Sequence, residues 1–176
     1  MPTIPRRVVT GHDARGRSVF LHDGEPPVVR TAPDGALFYE LWNTDAAPAL
    51  IAADEPDPTR RDLTVPPAPG GTKIRVNEFP PGVVSPTHRT QTVDYGIVLE
   101  GEVVLVLDDG AERILGPGAV VVQRGTDHRW ENRGEATARM AFILVDGSFT
   151  AELLGTLGED VVHGLLHDPM KQGAEK

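Results

Sequence analysis

From Gly71 to Gly147 the chain is a succession of short runs: TKIRVNEF, PPGVVSPTH, VDYGIVL, EVVLVLDDG, AERIL, AVVVQ, RWENRG and ARMAFILVDG, broken by turns such as EG, GPG and RGTDH. No run is long enough to develop the ~3.6-residue apolar period of a helix, whereas Val, Ile and Leu in short stretches between glycines suit strands. Asp109-Gly110 is a hairpin signal, and many short strands with Gly-containing turns close into a sandwich or a barrel. The segments VVLVL and AFILV do not alternate; they are apolar on both faces. One face is expected to line the interior, and the other to be covered by the rest of the chain or by a second subunit, so a homodimer is expected.

Residues 1–70 have a different texture. VVTGHDARGRSVFLHDG reads as strand, turn and strand, and ALFYELWNTD as a further strand. The acidic, proline-rich stretch that follows, over 45–70, is a long irregular loop, expected to act as a lid over the interior or as a subunit contact. Beyond Asp146, Phe149, Leu153, Leu154 and Leu157 fall on one helical face with Ser148 or Thr150 as a cap, which predicts a short closing helix before a disordered tail, MKQGAEK.

Composition narrows the chemistry. The absence of cysteine excludes disulfides, thiolate nucleophiles and cysteine-held metals. Seventeen basic against 26 acidic residues give a formal charge of -9, which offers no general attraction to nucleic acid or anionic lipid. No stretch approaches the about 18 apolar residues of a membrane span, and the N-terminal residues lack a signal-like apolar run, so a cytoplasmic protein is expected. No phosphate-cradling glycine loop and no GxSxG elbow is present.

Two segments carry a family resemblance. GVVSPTHRTQTVDYGIVLEG resembles the first cupin motif, with Gly82, His88, Thr90, Asp94 and Gly101 at the matching positions. GAVVVQRGTDHRWEN resembles the second, through Gly118, Gln123 in place of proline, Gly125, His128 and Asn132, with its first spacing one residue short. GHDARGRSVFLHDG, together with HRTQTVDYGIVLEGE and VVVQRGTDHRWEN, resembles a subgroup of small bacterial and fungal cupins, mostly without an assigned reaction. The resemblance implies an all-β fold: a double-stranded, jelly-roll-like β-barrel over 71–147, an N-terminal β extension packed on it over 1–70, and a C-terminal helix and tail over 148–176.

The resemblance also implies a site. In cupins, two His and a Glu from the first motif and a His from the second converge on one divalent ion. Here Thr90 stands at the second His position and Asp94 at the Glu position. His88, Asp94 and His128 remain as the candidate catalytic residues and as a candidate two-His, one-carboxylate ligand set for Zn, Fe, Mn or Ni, with a metal-free pocket as the alternative. For Asp94 the competing reading is a structural carboxylate paired with Arg89, Arg129 or a backbone amide; buried without a cation, it would instead have a raised pKa suited to acid–base work. Period-2 geometry adds Thr90, Thr92, Gln123 and Trp130 as candidate substrate contacts, with Tyr95 as a weaker one. His12, His22, His163 and His167 show no ligand-like spacing.

Three functions follow: a small-molecule enzyme using acid–base or Lewis-acid chemistry for dehydration, cyclisation, isomerisation or decarboxylation of an oxygenated metabolite; an Fe(II)-dependent dioxygenase; and a non-catalytic small-molecule-binding cupin. A small-molecule ligand is the expected partner in each, and fold alone does not separate them.

Overall fold

A computed structural model describes residues 4–158 and 161–162. The described residues form β1 (Arg7–His12), β2 (Ser18–Gly24), β3 (Val29–Thr31), β4 (Leu37–Thr44), β5 (Thr72–Phe79), β6 (Thr92–Glu100), β7 (Val103–Leu107), β8 (Glu112–Leu115), β9 (Val120–Arg124), β10 (His128–Glu131), β11 (Ala138–Asp146) and an α-helix, α1 (Ala151–Leu157). All strand pairs are antiparallel. A six-stranded sheet in the order β3-β4-β5-β11-β6-β9 faces a three-stranded sheet in the order β10-β7-β8, and β1-β2 form a separate hairpin. Segment 82–88 runs beside β10 through the bridges Val84–Glu131 and His88–His128. Among the described residues the pairing makes two facing sheets and no continuous ring.

Alternation decides what lies between them. Even-numbered Val98, Met140, Phe142 and Leu144 of the large sheet meet odd-numbered Val103 and Leu105 of β7, with Trp130, Phe79 and Phe38 completing the core. The two-faced strand is buried over its first four residues, Val103, Val104, Leu105 and Val106, all covered within one chain, while Leu107 at its end is exposed. Gly101 makes the turn between the sheets at φ 69°, and a Cβ there would stand 2.8 Å from the Ala138 Cα. Only glycine fits both demands.

The N-terminal residues are more than a covering layer. β3 and β4 are strands of the large sheet, with β4 registered along β5 from Leu37–Glu78 to Thr44–Thr72. The proline-rich loop that follows is held from beneath by buried side chains donating to its backbone. Arg30 Nη2 reaches the Arg61 and Thr59 carbonyls at 2.8 and 3.3 Å, Arg75 Nη1 the Val65 carbonyl at 3.3 Å, and Lys73 Nζ the Thr64 carbonyl. Asp57 caps a single 3-10 turn over Pro58–Arg60 and pairs with Arg7 at 2.5 Å. Leu63 and Val65 are buried, so the loop is a wall of the interior.

The C-terminal helix forms where expected, with the Thr150 hydroxyl accepting from the Leu153 N–H at 3.3 Å. Its closing role does not hold: α1 buries no residue, and Leu153 and Leu154 stay exposed. Phe149, placed before the helix, packs over Gly125 instead, where a Cβ would come within 2.5 Å of the ring. The expected disordered tail, with His163 and His167, lies outside the described residues.

Asn132 joins the ends of the elements. Its Nδ2 donates to the carbonyls of Phe79 (2.7 Å) and Ala136 (2.8 Å), and its Oδ1 accepts from the Gly134 N–H at 2.9 Å, in a residue only 1% exposed. Asn132→Ala removes three bonds and strands two carbonyls, so urea unfolding is expected to show a loss of about 2–4 kcal/mol with an unchanged m-value. A loss below about 1 kcal/mol would contradict this role.

Candidate functional site

His88 and His128 are brought together by the backbone. Each donates its N–H to the other's carbonyl, at 3.0 and 3.1 Å, which puts both side chains on one face of the pairing. Their ring centroids lie 4.3 Å apart at an interplanar angle of 52°. Trp130, two residues along β10, meets His128 edge-on at 5.9 Å, and Phe142 meets Trp130 at 5.5 Å. The imidazole pair is thus packed against an aromatic wall.

The tautomers follow from the hydrogen bonds. His88 Nδ1 lies 2.9 Å from the Pro86 carbonyl, and His128 Nδ1 lies 3.0 Å from the Thr126 carbonyl. A carbonyl can only accept, so each Nδ1 carries the proton and each Nε2 has a free lone pair. Burial lowers the pKa of both rings; for His128, burial and then the neighbouring His88 push it down to about 4. Both imidazoles are therefore neutral proton acceptors at physiological pH.

Asp94 enters from the opposite sheet, on β6 between Gln123 of β9 and Leu144 of β11. It is 6% exposed, and its Oδ1 has no hydrogen-bond partner. The structural pairings weighed for it are not formed, because Arg89 is bonded to Asp127 and Arg129 to Glu131. Burial pushes its pKa up to about 6, against the opposing pull of the Thr92 hydroxyl and the Arg75 charge.

These residues line one cavity of about 80 Å³ together with Thr90 and Trp130. The remaining sequence candidates are elsewhere. Thr92 is buried without lining the cavity, its Oγ 2.7 Å from that of Thr90, and Gln123 is committed to Thr126. Tyr95 is 42% exposed and points away from the cavity, as its odd position on β6 requires. His12 and His22 lie in the N-terminal hairpin and do not line the cavity. The sequence reading missed Arg75 and Asn77, which line the cavity from β5, as well as Ser85 and Asp34. The partial signal lay in TKIRVNEF, where Lys73, Arg75 and Asn77 alternate with Ile74 and Val76 and so mark a polar face.

The ligand set expected for a metal is only partly assembled. Among the described residues no three His, Asp or Glu side chains converge as a metal-binding group. The two free Nε2 atoms suit a divalent ion, with backbone carbonyls orienting both rings from behind. Asp94 shares the cavity without joining the pair, so the arrangement does not complete the two-His, one-carboxylate face.

Comparison with known proteins agrees with this architecture. A family model described as "Cupin domain" matches residues 75–145. Phomopsin biosynthesis cluster protein C' of Diaporthe leptostromiformis is 41% identical over 150 residues, covering 81% of this chain and 78% of that protein. The cupin-domain-containing oxidoreductase fogC of Aspergillus ruber is 38% identical over 170 residues, covering 88% and 82%. Among solved structures, the cupin domain of Schizosaccharomyces pombe Cnp3 superposes with a TM-score of 0.50 at 12% identity over 80% of this chain and 87% of that one, a likeness of fold alone. No helix among the described residues is long and apolar enough to cross a membrane. Two motifs that the fold turns into a facing imidazole pair, together with relatives of this identity and coverage, show that the chain belongs to the cupin superfamily.

Proposed function

We propose that this protein is an enzyme that moves a proton on a small oxygenated metabolite held between its two sheets, as in isomerisation, dehydration, cyclisation or decarboxylation. The observation that carries the reading is the pairing of two Nδ1-protonated imidazoles with a buried carboxylate whose Oδ1 is unpartnered, all on one small cavity. An enzymatic role is supported by relatives named as oxidoreductases. In the mechanism, Asp94 takes a proton from an acidic C–H or O–H of the substrate. A raised pKa makes it a stronger base than an ordinary carboxylate while leaving it ionised near neutrality. The imidazole Nε2 atoms accept hydrogen bonds from substrate hydroxyls and hold or return the proton. The closeness of the rings disfavours charging both, so at most one of the two Nε2 atoms is protonated at a time.

A second reading has its own support. Two neighbouring imidazoles with both Nδ1 atoms tied to carbonyls, leaving the Nε2 lone pairs free, also suit metal ligation, and the relatives' name fits an Fe(II)-dependent dioxygenase. Bound iron would supply oxygen activation, with His88 and His128 as its holders. The third class, a silent binding module, shares the cavity but needs no base.

Proton abstraction can be read without knowing the product, as deuterium uptake from D₂O into a panel of 2-oxo and 3-oxo compounds followed by NMR. The wild-type protein is expected to catalyse exchange, and Asp94→Asn to slow it by about 10²–10⁴-fold. Because Asp94 acts as its carboxylate, the rate should rise with pH through about 6 and then level off, with His128 already neutral above about 4. Exchange untouched by Asp94→Asn would contradict the assignment, and iron-dependent oxygen uptake in place of exchange would favour the second reading.

A further inference from the structure

We infer that the cavity takes the anionic end of a small hydroxy acid, with its carboxylate on Arg75 and the adjacent hydroxyl on Asn77. This rests on the reading of the cavity as a small-molecule site and names the class of molecule that fits it.

Beneath the proline-rich loop Arg30, Lys73 and Arg75 are buried, with the buried carboxylates Glu40 and Asp94 near them. Glu40 lies 3.8 Å from Arg30, and Lys73 is covered by the Thr64 and Val65 carbonyls. Arg75 remains. It is 5% exposed, it forms no ion pair among the described residues, and its Nε has no hydrogen-bond partner. Its protein contacts are the Val65 carbonyl at 3.3 Å and the face of the Phe38 ring, 4.4 Å from Cζ. Glu40 and Asp94 act on it only through their fields, and burial lowers its pKa.

A guanidinium is too basic to shed its proton, so Arg75, which feels Glu40 and Asp94 only through their fields, keeps its positive charge and open hydrogen-bond donors beside the cavity. The group that matches it is a planar oxyanion, which the guanidinium can hold with parallel hydrogen bonds. Two residues along β5 and on the same face, Asn77 is 4% exposed with a buried Oδ1 that has no partner. That oxygen calls for a donor, which a hydroxyl beside the carboxylate provides. A cavity of about 80 Å³ admits a few heavy atoms, enough for this end of the molecule. Pairing with Arg75 would also offset the negative charge with which a carboxylate opposes removal of a proton from the neighbouring carbon.

The test uses lactate, its neutral counterpart lactamide, and propionate, which lacks the hydroxyl. Binding is followed by NMR through the indole N–H of Trp130, one of only two tryptophans in the chain. Lactate should bind at least about tenfold more tightly than lactamide, the effect of one charge-assisted contact. Arg75→Gln should erase that preference, and Asn77→Leu should erase the preference for lactate over propionate. If Arg75→Gln does not fold, Asn77→Asp supplies a carboxylate beside the guanidinium and should abolish lactate binding while lactamide still binds. Equal affinities in the wild-type protein, a charge preference that survives Arg75→Gln or Asn77→Asp, or no shift of Trp130 with lactate would overturn the assignment. Charge-selective binding without deuterium exchange upholds this subsite and counts against the enzyme reading. Exchange without charge selectivity does the reverse.

Discussion

Charged side chains buried between two sheets must be compensated, and in this protein that need shapes the loop, the cavity and the chemistry together. An ion removed from water without a partner loses several kcal/mol of solvation, roughly the net stability of a whole domain. Arg30, Lys73 and Arg75 recover part of that loss from carbonyls of the segment 59–65. The same contacts order a proline-rich stretch that has no ladder of its own. Val65, held this way, then forms part of the cavity wall, so the loop that covers the interior and the cations beneath it depend on one another.

The site uses the same economy. Burial keeps both imidazoles neutral and lifts Asp94 toward neutrality, while the backbone pairing of 88 with 128 fixes where the rings meet. The opposing sheet supplies Asp94 and Arg75, so proton acceptors and a cation face one another across apolar walls made by Phe38, Phe142 and Leu144. In such surroundings a charge formed during reaction is felt more strongly than in water, because little solvent can rearrange to screen it.

Much of this is legible in the sequence, and the remainder is hidden for physical reasons. The strands from β5 to β11 follow from short apolar runs and glycine turns, and the two motif spacings place His88, Asp94 and His128 on a single cavity. What escapes is whatever depends on tertiary partners. Arg75 and Asn77 sit in a strand whose alternation shows a polar face without showing that this face is interior. The loop has no periodicity, because its order comes from side chains distant in sequence. The leucines of α1 have the spacing of a packed helix and still remain exposed, since periodicity describes a face and not what covers it.

The central claim is that three proton-handling groups stand ready in defined protonation states, and NMR titration of labelled Asp and His side chains tests it most directly. The account predicts an Asp94 carboxyl titrating near 6, a His128 ring that stays neutral down to about 4, and ¹⁵N shifts of both rings typical of the Nδ1-protonated tautomer. An Asp94 that titrates in the ordinary carboxylate range, or rings protonated on Nε2, would contradict it.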